Sequence, residues 1–156
     1  MHYIVFYILL LVFSAKPTGV WTAEWKPDGS MLVVSGDDST LWIYEGRELR
    51  LSKTVSAGAM VLGLAWHPEK PIMAIATRKG VSFWDVQSGK MTSLPDIQTG
   101  GRGIGWNHDG SLLALADGNG VLQITDVNGK LIRSIPKEDR NGYLTMHWHP
   151  SKNLIL

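Results

Sequence analysis

Four groupings in this 156-residue chain hold residue types capable of chemistry. Asp37-Asp38 puts two carboxylates side by side, the raw material of an acid–base pair. They fall between two short apolar runs, where Asp commonly bonds the backbone two residues on and so shapes a turn, and that is the role expected. His147 and His149 are spaced to share one side of a strand and one metal ion, but no third ligand stands near them. Gly100-Gly101-Arg102-Gly103-Ile104-Gly105 has the glycine density of a phosphate loop. It lacks the Lys-Ser/Thr ending and precedes an apolar strand rather than a helix, so no helix N-terminus would meet a phosphate. Ser, His and Asp are all present, yet no Ser sits in a Gly-x-Ser-x-Gly elbow. Cysteine is absent, which removes thiolate nucleophiles, disulfides and Cys-based metal sites. No catalytic, cofactor-binding or metal-binding residue is assigned, no cofactor is expected, and the chain is expected not to be an enzyme.

The elements that must position these groups are marked by tryptophan. Trp25 opens Trp-Lys-Pro-Asp-Gly, Trp66 opens Trp-His-Pro-Glu-Lys, Trp106 opens Trp-Asn-His-Asp-Gly and Trp148 opens Trp-His-Pro-Ser-Lys, at steps of 41, 40 and 42 residues. A fixed period of this size means an array of supersecondary units. In that register His149 is equivalent to Lys26, His67 and Asn107, which makes it a turn residue. The four tryptophans themselves fall at repeat-core positions, so packing is expected of them rather than a ligand cage. Trp21 and Trp42 lie outside the repeating position and are the candidates for an exposed aromatic.

One repeat reads as four strands. Val61–Trp66 is apolar throughout, as a strand buried on both faces should be. His67-Pro68-Glu69-Lys70-Pro71 breaks it, because proline cannot donate to a ladder and presets a turn. Ile72–Ala76, Val81–Asp85 and the more polar Lys90–Leu94 follow, separated by turns at residues 77–80 and 87–90. Val20–Trp25, Met31–Ser35, Thr40–Tyr44 and Glu48–Thr54 repeat the plan, as do Gly103–Trp106, Ser111–Ala116, Val121–Thr125 and Lys130–Ile135. The third strands end in Tyr44-Glu45, Trp84-Asp85 and Thr125-Asp126. With the Trp-x-Pro-Asp-Gly turn, this resembles the tryptophan–aspartate (WD) repeat family of β-propellers over about residues 18–156.

The resemblance implies an all-β fold of propeller blades, each of four antiparallel strands. Blades are expected at about 18–59, 60–101 and 102–142, with a partial one at 143–156: about three and a half, as in a fragment of a longer propeller. On that expectation the first blade lacks a neighbour and leaves Val33, Val34 and Ile43 uncovered. Only Trp84-Asp85 keeps the full dipeptide, and the usual Gly-His ahead of the first strand is missing, so the buried Asp–His–Ser–Trp network of the family cannot form in full.

Charge is nearly balanced, with 15 Lys and Arg against 14 Asp and Glu. That argues against a nucleic-acid partner, which a basic stripe would mark. Residues 1–15 contain an eleven-residue apolar run, Tyr3–Phe13, followed by Ser14-Ala15. It is too short to span a bilayer, which needs about 20 helical residues, so no stable transmembrane span is expected. It has the length of a secretory h-region, and export (secretion or a periplasmic location) is the expectation. The alternative is a buried strand in a cytoplasmic protein. The resemblance implies a non-catalytic scaffold that binds another protein or peptide at the propeller rim, where Arg78, Lys79, Arg102, Asp139 and Arg140 are expected to cluster. The alternative is an exported ligand-binding or enzyme-associated propeller, a hydrolase or sensor with its active residues in further blades.

Overall fold

The computed structural model describes residues 19–98, 100–117, 119–136 and 145–155; the apolar run 3–13, Asp139 and Arg140 lie outside them. Among the described residues twelve strands fall into three four-stranded antiparallel sheets, each built from consecutive strands. The first sheet holds β1 (Val20–Trp25), β2 (Met31–Gly36), β3 (Thr40–Glu45) and β4 (Arg50–Ser56). The second holds β5 (Val61–Trp66), β6 (Ile72–Thr77), β7 (Gly80–Asp85) and β8 (Met91–Ser93). The third holds β9 (Gly103–Trp106), β10 (Leu112–Ala116), β11 (Leu122–Asp126) and β12 (Leu131–Ile135). A bridge between Trp148 and Ile155 opens a fourth unit. No helix occurs among the described residues, and none is therefore long and apolar enough to cross a membrane.

The sheets stack as blades. β1 packs beside β5 and β5 beside β9, so the first strands line a common axis. The expected fall from buried first strands to exposed fourth strands holds in blades two and three, whereas β1 is exposed along most of its length. β6 is buried at nearly every position, while β4 and β12 face water along most of their length. Between blades one and two, Val33, Leu41 and Ile43 meet Leu64, Trp66, Met73 and Trp84. Between blades two and three, Ala74, Val81, Leu94 and Ile97 meet Trp106, Leu113 and Leu115.

The expectation that Val33, Val34 and Ile43 would be uncovered is wrong: all three are fully buried. Strand alternation explains it. Val33 and Ile43 point toward blade two, and Val34 is enclosed by Leu32, Tyr44 and Leu49 with Trp42 packed against them. The large apolar side chains exposed on blade one are instead Val20, Trp21 and Trp25 on β1 and Leu51 on β4.

The weakened family network is visible. Trp84 is buried, but its Nε1 has no partner among the described residues, and neither has Thr125 Oγ1. The strand-end carboxylates keep a local task. Asp85 Oδ1 accepts from the amides of Gln87 (2.9 Å) and Ser88 (3.1 Å). Asp126 Oδ1 likewise accepts from Asn128 (2.8 Å) and Lys130 (2.9 Å). Both thereby shape the hairpin into the outermost strand.

Candidate functional site

The two ends of the blade stack differ in construction. At one end lie the turns that follow each repeating tryptophan. The residue after that tryptophan donates its amide back to the start of the second strand: Lys26 to Met31 O (2.8 Å), His67 to Ile72 O (2.9 Å), Asn107 to Leu112 O (2.9 Å) and His149 to Leu154 O (2.8 Å). Their side chains cap the same turns. His67 Nδ1 accepts from the amides of Glu69 (3.1 Å) and Lys70 (3.0 Å), so the ring proton resides on Nε2, which sits against the Gly110 backbone without completing a hydrogen bond. His149 Nδ1 accepts from the Ser151 amide at 3.2 Å. The His147/His149 pair is thus split between an exposed position and a turn cap. Among the described residues no three His, Cys, Asp or Glu side chains converge as a metal site would require.

At the opposite end, the segment leading into each first strand meets the turn between second and third strands. Arg78 N donates to Met60 O at 3.1 Å. Thr77 Oγ1 donates to Gly80 O (3.2 Å) and accepts from Lys79 N (3.1 Å), which fixes the turn and leaves the Arg78 and Lys79 side chains in water. Gly101 sits so close to Ala116 that a Cβ there would lie 1.7 Å from its carbonyl oxygen. The glycine-rich segment is therefore crowded against backbone, the arrangement expected of an inter-blade link rather than a phosphate loop.

Arg102 belongs to a second cluster at this end. Its guanidinium lies 4.6 Å from the centroid of the Trp21 ring, a cation–π geometry. Trp21 Nε1 donates to Asp37 Oδ1 at 2.5 Å, and Trp42 Nε1 donates to Asp38 Oδ2 at 2.9 Å. Asp38 also accepts from the Thr40 amide (3.1 Å), so it carries the expected turn role. Each carboxylate of Asp37-Asp38 holds an indole, a use that the pair's sequence does not announce. The structure thus groups Arg78 with Lys79, and Arg102 with Trp21 and Asp37; Asp139 and Arg140 lie outside the described residues. Between the ends runs a groove of about 330 Å³ lined by the first strands, including Thr22, Glu24, Gly63, Thr145 and His147. Partial loss of hydration there raises the Glu24 carboxyl above its ordinary pKa.

Sequence reading missed the device that joins the blades. Trp66 Nε1 donates to Glu24 O (3.3 Å), Trp106 Nε1 to Ala65 O (3.3 Å) and Trp148 Nε1 to Gly105 O (2.8 Å). Each acceptor is the residue just before the repeating tryptophan of the preceding blade. The period located these indoles, but only tertiary placement reveals the acceptor.

The repeat geometry agrees with comparison to known families. The description "WD domain, G-beta repeat" matches residues 8–45, and "Anaphase-promoting complex subunit 4 WD40 domain" matches residues 98–151. The chain belongs to the WD-repeat family. A similar WD-repeat relative is the small ribosomal subunit protein RACK1y of Oryza sativa subsp. japonica, 26% identical over 112 residues, which cover 67% of this chain and 33% of that protein. The WD repeat-containing protein slp1 of Schizosaccharomyces pombe is 33% identical over 82 residues, covering 50% of this chain and 17% of its own length. The ribosome biogenesis protein BOP1 homolog of Culex quinquefasciatus is 34% identical over 70 residues, covering 45% and 8%. This WD-repeat chain therefore spans about a third, or less, of the curated relatives it matches. Among solved structures, Kuenenia stuttgartiensis hydrazine synthase superposes with a TM-score of 0.72 at 20% identity over 85% of this chain and 39% of that one, a likeness of fold alone.

Proposed function

We propose that this WD-repeat chain is a non-catalytic scaffold that holds a peptide or domain of another protein at the end of the blade stack bearing Arg78, Lys79 and Arg102. The observation that carries the reading is the construction of that end. Arg78 and Lys79 project from a turn pinned by the Thr77 hydroxyl and by the Arg78 amide's bond to Met60 O in the lead-in to β5, so a partner would meet a rigid surface and lose little to ordering it. Family membership supports the same reading, as do relatives whose names place them in the ribosome and its assembly. An acidic partner segment suits the charge.

Site-specific photo-crosslinking in cells tests it. A crosslinker at Lys79 should capture protein adducts that the combined Arg78→Glu and Arg102→Glu changes abolish. A crosslinker at Glu69, in the turn at the opposite end, should capture far less. Equal capture at both ends, or capture indifferent to the charge reversals, would overturn the assignment.

Export is proposed on the apolar run 3–13 alone. The alternative is a buried strand in a cytoplasmic protein, and a reporter fusion decides between the two.

A further inference from the structure

The joint between blades one and two differs in its side chains from the joint between blades two and three. Ser82 and Ser93 pair across β7 and β8, and the equivalent pair on β11 and β12 is Gln123 and Ser134. Counted back from Asp85 and Asp126, Lys79 is equivalent to Gly120. Counted back from Trp66 and Trp106, the lead-in residues Ala57, Gly58 and Ala59 are equivalent to Ile97, Gln98 and Thr99. The later repeat therefore has larger side chains in the lead-in, a long amide in place of a short hydroxyl, and no cation. Ile97 and the Gln123 Oε1 atom are both buried.

Small side chains at the first joint leave a groove of about 210 Å³, lined by Ala57, Ala59, Lys79, Ser82 and Ser93, with buried Val81 and Leu94 beside them. Both walls come from blades one and two. Among the described residues that line it, Lys79 is the only ionisable one, and it is exposed. The Thr77 hydroxyl is already committed, donating to Gly80 O and accepting from Lys79 N, and this holds the lysine backbone in place. The two serine hydroxyls are not fully committed. Ser82 Oγ and Ser93 Oγ lie 3.3 Å apart. One donates to the other, so the second hydroxyl hydrogen is left to donate outward.

We propose that this groove takes the carboxylate of an aspartate or glutamate in a segment of the partner protein, held by Lys79 Nζ and by the spare hydroxyl hydrogen of the Ser82–Ser93 pair. The inference rests on the reading of this end as the partner-binding end, and names the point at which the partner is held. The groove is smaller than the roughly 300–1,000 Å³ of small-molecule sites, so it suits one side chain of a longer segment. An ammonium and a hydroxyl are both donors, and hydrogen bonds to an ionised acceptor are the strong ones. No carboxylate among the described lining residues competes for them.

Fluorescence anisotropy with the full chain tests this. The probe is a labelled mixture of short peptides with Glu fixed at the centre and all other positions degenerate; the control mixture has Gln at the centre. The Glu mixture should bind at least tenfold tighter. Ser82→Gln gives blade two the side chain that blade three carries at the equivalent position, fills the groove without changing charge, and should remove the preference. Ser93→Ala leaves the groove open but removes a hydroxyl, and should reduce the preference severalfold. Both variants should keep the β-sheet circular dichroism spectrum. If the combined Arg78→Glu and Arg102→Glu changes abolish binding while both serine variants keep the preference, the partner-binding end stands and the groove assignment falls. Binding indifferent to all of these changes would overturn both. Glu and Gln mixtures that bind equally, or no binding of either, would overturn the groove assignment.

Discussion

At the scale of single residues, the tryptophans divide by what their indole meets. Trp66 packs with Leu64, Met73 and Trp84 and also bonds to Glu24 O, so its loss removes apolar contact and an inter-blade tie together. Trp66→Ala should cost about 3–5 kcal/mol, as large aromatic truncations do, whereas Lys79→Ala in the exposed turn should stay within about 0.5 kcal/mol. Urea titration of both compares them, and equal effects would mean the register is misassigned. Gly29 and Gly110 make a matched pair because their φ is identical and their surroundings are not. Alanine at Gly29 should cost about 1–2 kcal/mol for left-handed backbone alone. Alanine at Gly110 should cost clearly more, since its Cβ would also strike the His67 ring. Thermal melts of the two variants give the difference directly.

At the scale of elements, His67 ties the β5–β6 turn to its neighbour and sets a pH dependence. Burial pushes its imidazole below the ordinary value, and the nearby Lys70 charge adds to that. The folded pKa is therefore lower than the unfolded one, near 6.5. The unfolded chain takes up the proton first on acidification. The stabilisation from neutral His67 is complete above about pH 6.5 and is lost as pH falls through the folded pKa. His67→Asn, the side chain used at the equivalent Asn107, should flatten the stability profile between about pH 7 and 5. A profile as steep as that of the wild type would place the titration elsewhere.

At the scale of the whole molecule, every described element is a strand, and the spectrum should say so. Far-ultraviolet circular dichroism should show β structure, and a helical fraction near the globular average of about one third would contradict the fold. Export belongs to this scale as well. A reporter fused after residue 20 should leave the cytoplasm if Tyr3–Phe13 acts as an h-region. Retention inside, with an intact N-terminus by mass spectrometry, would favour the buried-strand reading.

The sequence by itself determined the repeat, the strand plan and the blade architecture. Trp spacing, proline and glycine at turns, and the fall from apolar β6 to polar β4 and β12 are local signals, and each acts within a few residues of its cause. The first strands Val20–Trp25, Val61–Trp66 and Gly103–Trp106 coincide with their sequence-derived limits, while most later strands shift by a residue or two at ends where side-chain caps choose the boundary. Whether Val33 and Ile43 are covered depends on the neighbouring blade, while Val34 is closed over by Leu32, Tyr44 and Leu49 of its own blade; neither cover is visible in the local sequence. The candidate site divides in the same way. That Arg78 and Lys79 sit on an exposed turn follows from Thr77 and Gly80 nearby. That Arg102 lies on Trp21, 81 residues earlier, and that Trp66, Trp106 and Trp148 each reach a carbonyl one repeat back, was decided only when the blades packed. Period fixes which residues are equivalent; only the packed neighbour fixes what each equivalent residue touches.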